Sequence, residues 1–535
     1  MKRLKLLAVG CWLLAVSIEA APPLRGLLPM RQADGTIVTA DNAVKTFSEG
    51  AYCASQMAVG EGLYLQHSGS PRILTILAAF QDVGFSINNP VQAFEQYLNG
   101  DKQQEDLGNH NQLNVASVRQ YFEACSHGRF SPQFDVVGPV VLPQKMAYYG
   151  GSNATGSDDK FRDFCQDALD QVKDLVADWS LYDNNGDCQI ELVCVIFAGY
   201  GQNQGGADST IWAKAAYQNL KVTDSLDNLR IIRFNCSPEL FHPQCPDYIN
   251  GTGVFIHEFS HCMGLPDLYA TQTKAYVNNQ GMETFSIMDY GLYNNNGFAP
   301  CAYTAWEQEV MGWTEIEDVR GLMEDGRCQI DDILPLLEGG KAYKLMNSNN
   351  ERDLIVMENI QRRGLNKAAS GHGLLVYHVD YPNSSVNMTD SPNNNPGHPS
   401  VAVVPAGGKL ISSYLRGDGK LHTRAEWQES LAASTFPGTK TVTSLTNKMQ
   451  LPNYCFYNHA TSISTGFMLN GISENTETGT VRLDIATEEE TGISLTSIRA
   501  PKSEGSVYDL HGRKVTGRLQ PGLYIQDGKK FCIHR

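Results

Sequence analysis

The chain is 535 residues long, 42% hydrophobic and 19% charged, which is enough for several domains around sizeable cores. With 42 Lys and Arg against 58 Asp and Glu, its formal charge is −16. That acidic balance argues against nucleic acid as a main partner and against electrostatic docking on anionic lipid.

At the N-terminus, Lys2, Arg3 and Lys5 precede an apolar run from Leu6 to Ile18, and Ala20 offers a small residue for cleavage. The run is too short to span a bilayer, so residues 1–20 read as a secretory signal peptide. Cys11 sits inside the run rather than after it, which argues against a lipid anchor. No later stretch is apolar and long enough to cross a membrane, so the mature chain is expected to be exported and soluble. Losing the leader removes one of thirteen cysteines, and the even remainder permits disulfides. Cys236 and Cys245, flanking a loop, are the best local pair.

Residues 21–66 are weakly patterned. PRILTILAAF has the length of a buried strand. VASVRQYFEACSHG places Val118, Tyr121, Phe122 and Cys125 on one helical face, and FDVVGPVVL reads as a strand. Between 161 and 179, Phe161, Phe164, Ala168, Val172, Leu175 and Trp179 recur at threes and fours, which predicts a long amphipathic helix. ELVCVIFAG, residues 191–199, is a central-strand candidate, and a shorter helix is expected in CAYTAWEQEVMGW. Strands mixed with a few helices predict an α+β domain over 69–316. After Trp313 the texture changes to short β-rich runs, with RDLIVMENI and GLLVYHVDY as clear strands and no convincing long helix. Residues 317–486 therefore read as a β-rich, sandwich-like accessory domain, and 487–535 as a small β module.

The segment VFIHEFSHCMGLPDLY carries His257, Glu258 and His261. On a helix, positions four apart share a face, so both imidazoles can bind one Zn²⁺. Glu258 is offset around the helix and is placed as a general base toward water on the metal. The five-residue pattern alone arises by chance in roughly one chain in a hundred, so its flank matters. Gly264 can take the left-handed conformation that ends a helix, and Pro266 stops it from resuming. The chain can then double back to offer Asp267 as a third ligand, leaving the fourth position open.

Downstream, FSIMDYG places Ser286, Met288 and Tyr290 in a short turn that resembles the Met-turn of metzincin zinc peptidases. That likeness implies a methionine beneath the metal and a tyrosine near it, where Tyr290 would hydrogen-bond an oxyanion. The order SVRQYFEACSHGRFSPQFDVVGPV, YYG, DNNGDCQIELVCVIFAGYG, STIWAK, HEFSHCMGLPDLY, SIMDYG and AWEQEVMGW resembles the secreted zinc metallopeptidases of the immune inhibitor A type. The likeness is dense over 70–316 and looser through IVMENIQRRG, GHGLLVYHVDY and FPGTKTVTS. It implies a zincin-like, metzincin-like catalytic fold, endopeptidase activity on protein or peptide substrates, and a pro-segment over 21–68. The chain departs from the pattern at Ser260, where glycine is frequent, and at Asp267, where metzincins more often use histidine. A glutamate elsewhere as third ligand would leave Asp267 a turn residue.

Other features carry less. Asp183, Asn185, Asp187 and Glu191 alternate oxygen side chains as a Ca²⁺ loop does, but Cys188 replaces the expected glycine and a plain turn explains the stretch nearly as well. His242 with Cys245 cannot close a metal site, His372 and His378 read as structural, and Cys53 would reach a zinc only as a latency thiolate. The tail VYDLHGRKV…LQPGLYI resembles sorting domains recognised by type IX secretion systems, which implies secretion machinery as a partner and an extracellular or cell-surface location. The alternative to an enzyme is a secreted binding protein on a silent zincin fold, which would be marked by loss of Glu258 or of a ligand.

Overall fold

The computed structural model describes residues 18–24, 58–60, 64–100, 108–151, 158–222, 229–276, 279–411, 422–488, 507–509, 513–515, 522–526 and 529–533. Most of the leader, most of the expected pro-segment and Cys53 lie outside the described residues. Residues up to Ala486 make one compact unit and Thr487–Arg535 a second.

The first sheet contains β1 (Ile18–Ala20), β2 (Arg72–Ala79), β3 (Gln133–Val141), β4 (Gln189–Tyr200), β5 (Lys214–Lys221), β6 (Arg230–His242) and β7 (Cys245–Ile249). Its order is β1-β5-β6-β4-β2-β3, with β7 hydrogen-bonded to β6. The inner pairs β3/β2, β2/β4 and β4/β6 are parallel, while β5 runs antiparallel to β6 and β1 antiparallel to β5. Successive side chains of a strand point to opposite faces. Accordingly Leu192, Cys194 and Ile196 enter one core, while Val193, Val195 and Phe197 enter another. Both faces of β4 are covered, which is why its sequence is a continuous apolar run.

Helices α1 (Pro90–Asn99), α2 (Val118–Cys125) and α5 (Thr252–Cys262) contribute to the first of those cores, and α3 (Met146–Tyr149) and α4 (Phe161–Val172) to the second. The predicted face of α2 holds: Val118, Tyr121, Phe122 and Cys125 are all fully buried. The longer helix expected to reach Trp179 stops at Val172. Leu175 is 59% exposed, and Asp178 starts a separate 3-10 turn by accepting the Ser180 N–H at 2.9 Å. A local side-chain cap there offers the backbone an alternative to continuing the helix.

α6 (Ala305–Val310) follows, with a capping box between Thr304 and Glu307. Next come β8 (Glu317–Asp318), β9 (Arg327–Ile333), β10 (Tyr343–Asn347), β11 (Asn350–Ile360), β12 (Gly373–Asp380) and β13 (Val401–Val403). Helix α7 (Arg424–Ala432) is followed by β14 (Phe456–Asn458), β15 (Thr461–Ile463), β16 (Phe467–Asn475) and β17 (Thr480–Thr487). A five-stranded sheet runs β13-β12-β11-β10-β8, and a three-stranded one β16-β17-β9. The five-stranded sheet is apolar on both faces. Leu354, Val356 and Tyr377 join the core that holds α5, while Ile355, Met357 and Val376 pack with β9, β16 and β17. The nine-residue helix α7 was not anticipated, although its Thr423…Glu426 capping box is written in the sequence. In the second unit, β18 (Val507–Asp509), β19 (Gly522–Gln526) and β20 (Lys529–Ile533) form an antiparallel sheet.

Ten cysteines, including Cys236 and Cys245, are free thiols among the described residues. Among the described residues no helix is long and apolar enough to cross a membrane.

Candidate active site

Helix α5 is buried along its whole length, so it has no solvent face to select an amphipathic pattern. Its start lies against the turn at 290–297: a methyl group on Gly253 would sit 1.9 Å from the Leu292 carbonyl oxygen. At its far end the Gly264 amide donates to the His261 carbonyl at 2.9 Å, and Gly264 takes φ +107°, in the left-handed region. The chain then folds back and brings Asp267 to the two histidines.

His257 and His261 point their rings the same way. Their Nε2 atoms are 3.2 Å apart, and each lies 3.3 Å from Asp267 Oδ1. Each Nδ1 is 2.7–2.8 Å from a backbone carbonyl, Leu265 for His261 and Ile287 for His257. Carbonyls only accept, so each Nδ1 carries the proton and each Nε2 presents a lone pair. Among the described residues this trio is the one His/Cys/Asp/Glu cluster with metal-ligand geometry, its donor atoms within 4.8 Å of one another. Asp267 Oδ1 is buried with no hydrogen-bond partner. Two imidazole lone pairs and an orphaned carboxylate oxygen, all buried, fit a small divalent cation of zinc type. Burial works against the Asp267 charge, but the two imidazoles outweigh it and hold the carboxyl below its usual range.

Glu258 lies beside this trio, fully buried. Its Oε2 has no partner, while Oε1 accepts the Ala21 N–H at 2.7 Å. Burial pushes its carboxyl up to about 8, against the opposing pull of His257. Met288 is completely buried, its amide held by Ser286 Oγ at 2.9 Å and its carbonyl accepting the Leu268 N–H at 2.8 Å. The turn that carries it is therefore tied directly to the chain bearing Asp267. Ser286 in turn donates to Glu307 of the α6 capping box. The Tyr290 hydroxyl lies 3.5 Å from the Pro23 carbonyl oxygen.

A stretch of this same chain lies against the site. β1 pairs antiparallel with β5, Ala20 opposite Lys214. Beyond it, Trp212 Nε1 donates to the Ala21 carbonyl at 2.8 Å and the Tyr293 hydroxyl to that of Pro22 at 2.6 Å. The Leu24 amide donates to the Asn203 carbonyl at 2.8 Å. Asn203, Trp212 and Tyr293 were not singled out from the sequence. Trp212 carries a signal only as the aromatic of STIWAK, and the other two carry none.

The expected calcium ligands are not gathered. Asp183 spends its carboxylate on the amides of Gly186, Asp187 and Cys188, Asn185 accepts from Asp187, and Glu191 points a buried Oε2 at no partner. This is a self-capped turn. His378 is paired with buried Asp353 at 2.7 Å and His372 with Glu474 at 2.8 Å, both structural contacts.

A buried His-His-Asp trio with a glutamate at its side is an arrangement that could hold a divalent metal next to a carboxylate. Residues 65–314 match the model of the immune inhibitor A peptidase M6 catalytic domain. The chain is 30% identical over 223 residues to the pre-pro-metalloprotease PrtV of Vibrio cholerae serotype O1, covering 37% of this chain and 24% of that protein. It is 26% identical over 255 residues to immune inhibitor A of Bacillus thuringiensis subsp. alesti, covering 42% of this chain and 36% of that one. The chain thus spans about a quarter to a third of these relatives, and the similarity concerns the peptidase region.

Proposed function

We propose that the chain is a secreted zinc-dependent endopeptidase acting on extracellular proteins. The observation that carries this reading is the meeting of His257 Nε2, His261 Nε2 and Asp267 Oδ1 beside the unpaired Oε2 of Glu258. When bound, zinc supplies a Lewis acid that polarises the scissile carbonyl and acidifies water. The two histidines are oriented for it in advance by their carbonyl partners.

Glu258 is the general base. Its Oε2 is available to take a proton from water, and its Oε1 already touches a backbone nitrogen of this same chain. The same carboxyl can therefore return the proton to a departing amine, which a peptidase requires. Tyr290 steadies the charge that develops on the carbonyl oxygen. Met288 forms the floor beneath the trio. Endopeptidase action is proposed from the likeness of residues 65–314 to the immune inhibitor A peptidase M6 catalytic domain. Export rests on the leader and on the tail's likeness to type IX sorting domains, with 21–68 as the pro-segment.

The test pairs metal content with casein cleavage in the protein and in Glu258→Ala. Zinc should stay bound at one equivalent while cleavage falls by about three orders of magnitude or more, because the ligands survive and the proton carrier does not. Equal cleavage by both proteins refutes the mechanism. Zinc binding without cleavage by either would support the silent binding protein instead.

A further inference from the structure

Resting on the reading of Tyr290 as donor to the oxyanion, we propose that Trp427, on helix α7 of the β-rich region, is the positioning residue that aims the Tyr290 hydroxyl. A phenol stabilises a developing charge only where its O–H already points, and a tyrosine ring turns about two side-chain bonds unless its neighbours fix it. Tyr290 opens the 3-10 turn at 290–297, so the backbone sets where the ring starts but not where it points. The Trp427 ring meets it edge to face, with centroids 6.0 Å apart and planes at 76°, the arrangement that aromatic quadrupoles favour. Tyr293 adds a second ring contact at 6.3 Å.

Trp427 is itself held in place. Its Nε1 donates to Glu283 Oε2 at 2.9 Å, across 144 positions of the chain. An indole offers one N–H and no acceptor, so this single bond fixes the direction of the ring. Glu283 is 1% exposed and takes φ +51°, in the left-handed region that residues other than glycine seldom enter. Asp289 keeps it there: its Oδ2 accepts the Glu283 amide at 2.7 Å and the Met282 amide at 3.0 Å, and its Oδ1 accepts the Tyr290 amide at 2.8 Å. The contacts close a ring, from the Tyr290 backbone through Asp289 and Glu283 to the indole and back to the Tyr290 phenol. Leu431, one turn after Trp427 on the same face of α7, is 1% exposed in the core that also holds α5. A helix carried by the β-rich region thus reaches the turn that follows Met288. A tryptophan that only filled core would be covered and would need no buried carboxylate on a strained backbone, whereas Trp427 is half-buried and has both.

The experiment uses the exported protein loaded with zinc, and compares it with Trp427→Ala, Trp427→Leu, Trp427→Phe, Tyr290→Phe and each Trp427 change in the Tyr290→Phe background. kcat and KM are read on fluorescein-labelled casein. Calorimetry reads the binding of a phosphinic tripeptide, whose tetrahedral P–O group copies the attacked carbonyl. Tyr290→Phe should lower kcat by about a hundredfold. Trp427→Ala and Trp427→Leu should lower it by about tenfold with KM changed less than about twofold, and Trp427→Phe, which keeps an aromatic edge, should recover most of the loss. In the Tyr290→Phe background the same changes should alter kcat by less than about twofold, because no hydroxyl is left to aim. Phosphinic peptide binding should weaken in step with kcat while zinc stays at one equivalent. Trp427→Leu fills much of the space, so it carries the test if the alanine variant fails to fold. No loss from Trp427→Leu, or the same loss with and without the Tyr290 hydroxyl, overturns the proposal. If Tyr290→Phe changes neither readout, the proposal falls together with the role of Tyr290, while casein cleavage by the parent leaves the peptidase reading standing. If no form cleaves casein but phosphinic peptide binding shows the expected pattern, Trp427 still aims the tyrosine and the peptidase reading falls.

Discussion

Glu358 shows how a single buried carboxyl links the two halves of the large unit. Its Oε1 accepts the Ala305 amide at 2.9 Å at the start of α6, while Tyr377 beside it accepts the Trp306 amide at 3.0 Å. Burial pushes the Glu358 carboxyl up to about 7. A carboxyl with a raised folded-state pKa binds more protons folded than unfolded between its two pKa values. Its contribution is therefore fully present below about 4.5 and is lost as pH rises through about 7. Glu358→Gln, which keeps an acceptor for Ala305, should gain stability relative to the parent as pH rises from 5 to 8, by up to about 3 kcal/mol. Melting curves across that range check it; a difference that does not change with pH would mean Glu358 is already ionised at neutral pH. The contrast with Glu258 is instructive. Both are buried acids, but one has its partners supplied by the fold and the other keeps an oxygen unpaired beside the histidines.

At the scale of elements, α5 is positioned by close approach rather than by an apolar stripe. Gly253 packs directly on the Leu292 carbonyl, so the helix N-terminus has no room to shift. Gly253→Ala should push the helix off that turn and cost about 3 kcal/mol, the upper end for overpacking a rigid neighbour. The loss is read as a lower melting temperature together with weakened zinc binding, since the 290–297 turn continues from Met288. An unchanged melting temperature would show that the helix can slide. The β5 edge is the other decisive element. An edge strand offers unpaired backbone groups that a second chain can pair with; here residues 18–20 of the leader take that place, and their removal on export would free the β5 edge.

Across the large unit, the region over 65–314 and the β-rich region share a core. Trp306 and Trp313 belong to the same apolar cluster as Val356, Tyr377 and Val403. Calorimetry of residues up to Ala486 is expected to show one transition. A chain ending at residue 316 would strip β10–β13 from that cluster and should lose cooperative melting. Two separate transitions, or a stable truncated protein, would show that the shared face is dispensable. The sequence changes texture near Trp313, yet residues up to Ala486 form one compact unit. It could not show that the five-stranded sheet is apolar on both faces, because an alternation shared between two cores looks like one continuous buried strand.

What the sequence by itself determined is what repeats within a few residues: the buried face of α2, the run of β4, and two histidines one turn apart with a glycine to end their helix. Helical and strand periods are local, so the residues that make these features are neighbours in the chain. Only the tertiary structure decided that Asp267 turns back onto the histidines, that the calcium-like turn caps itself, and that Ala21 meets Glu258 across 237 residues. Contacts at such separation leave no period to read. They exist because the sheet stacks its edge beside the helix, and that closure is set by how the whole core packs.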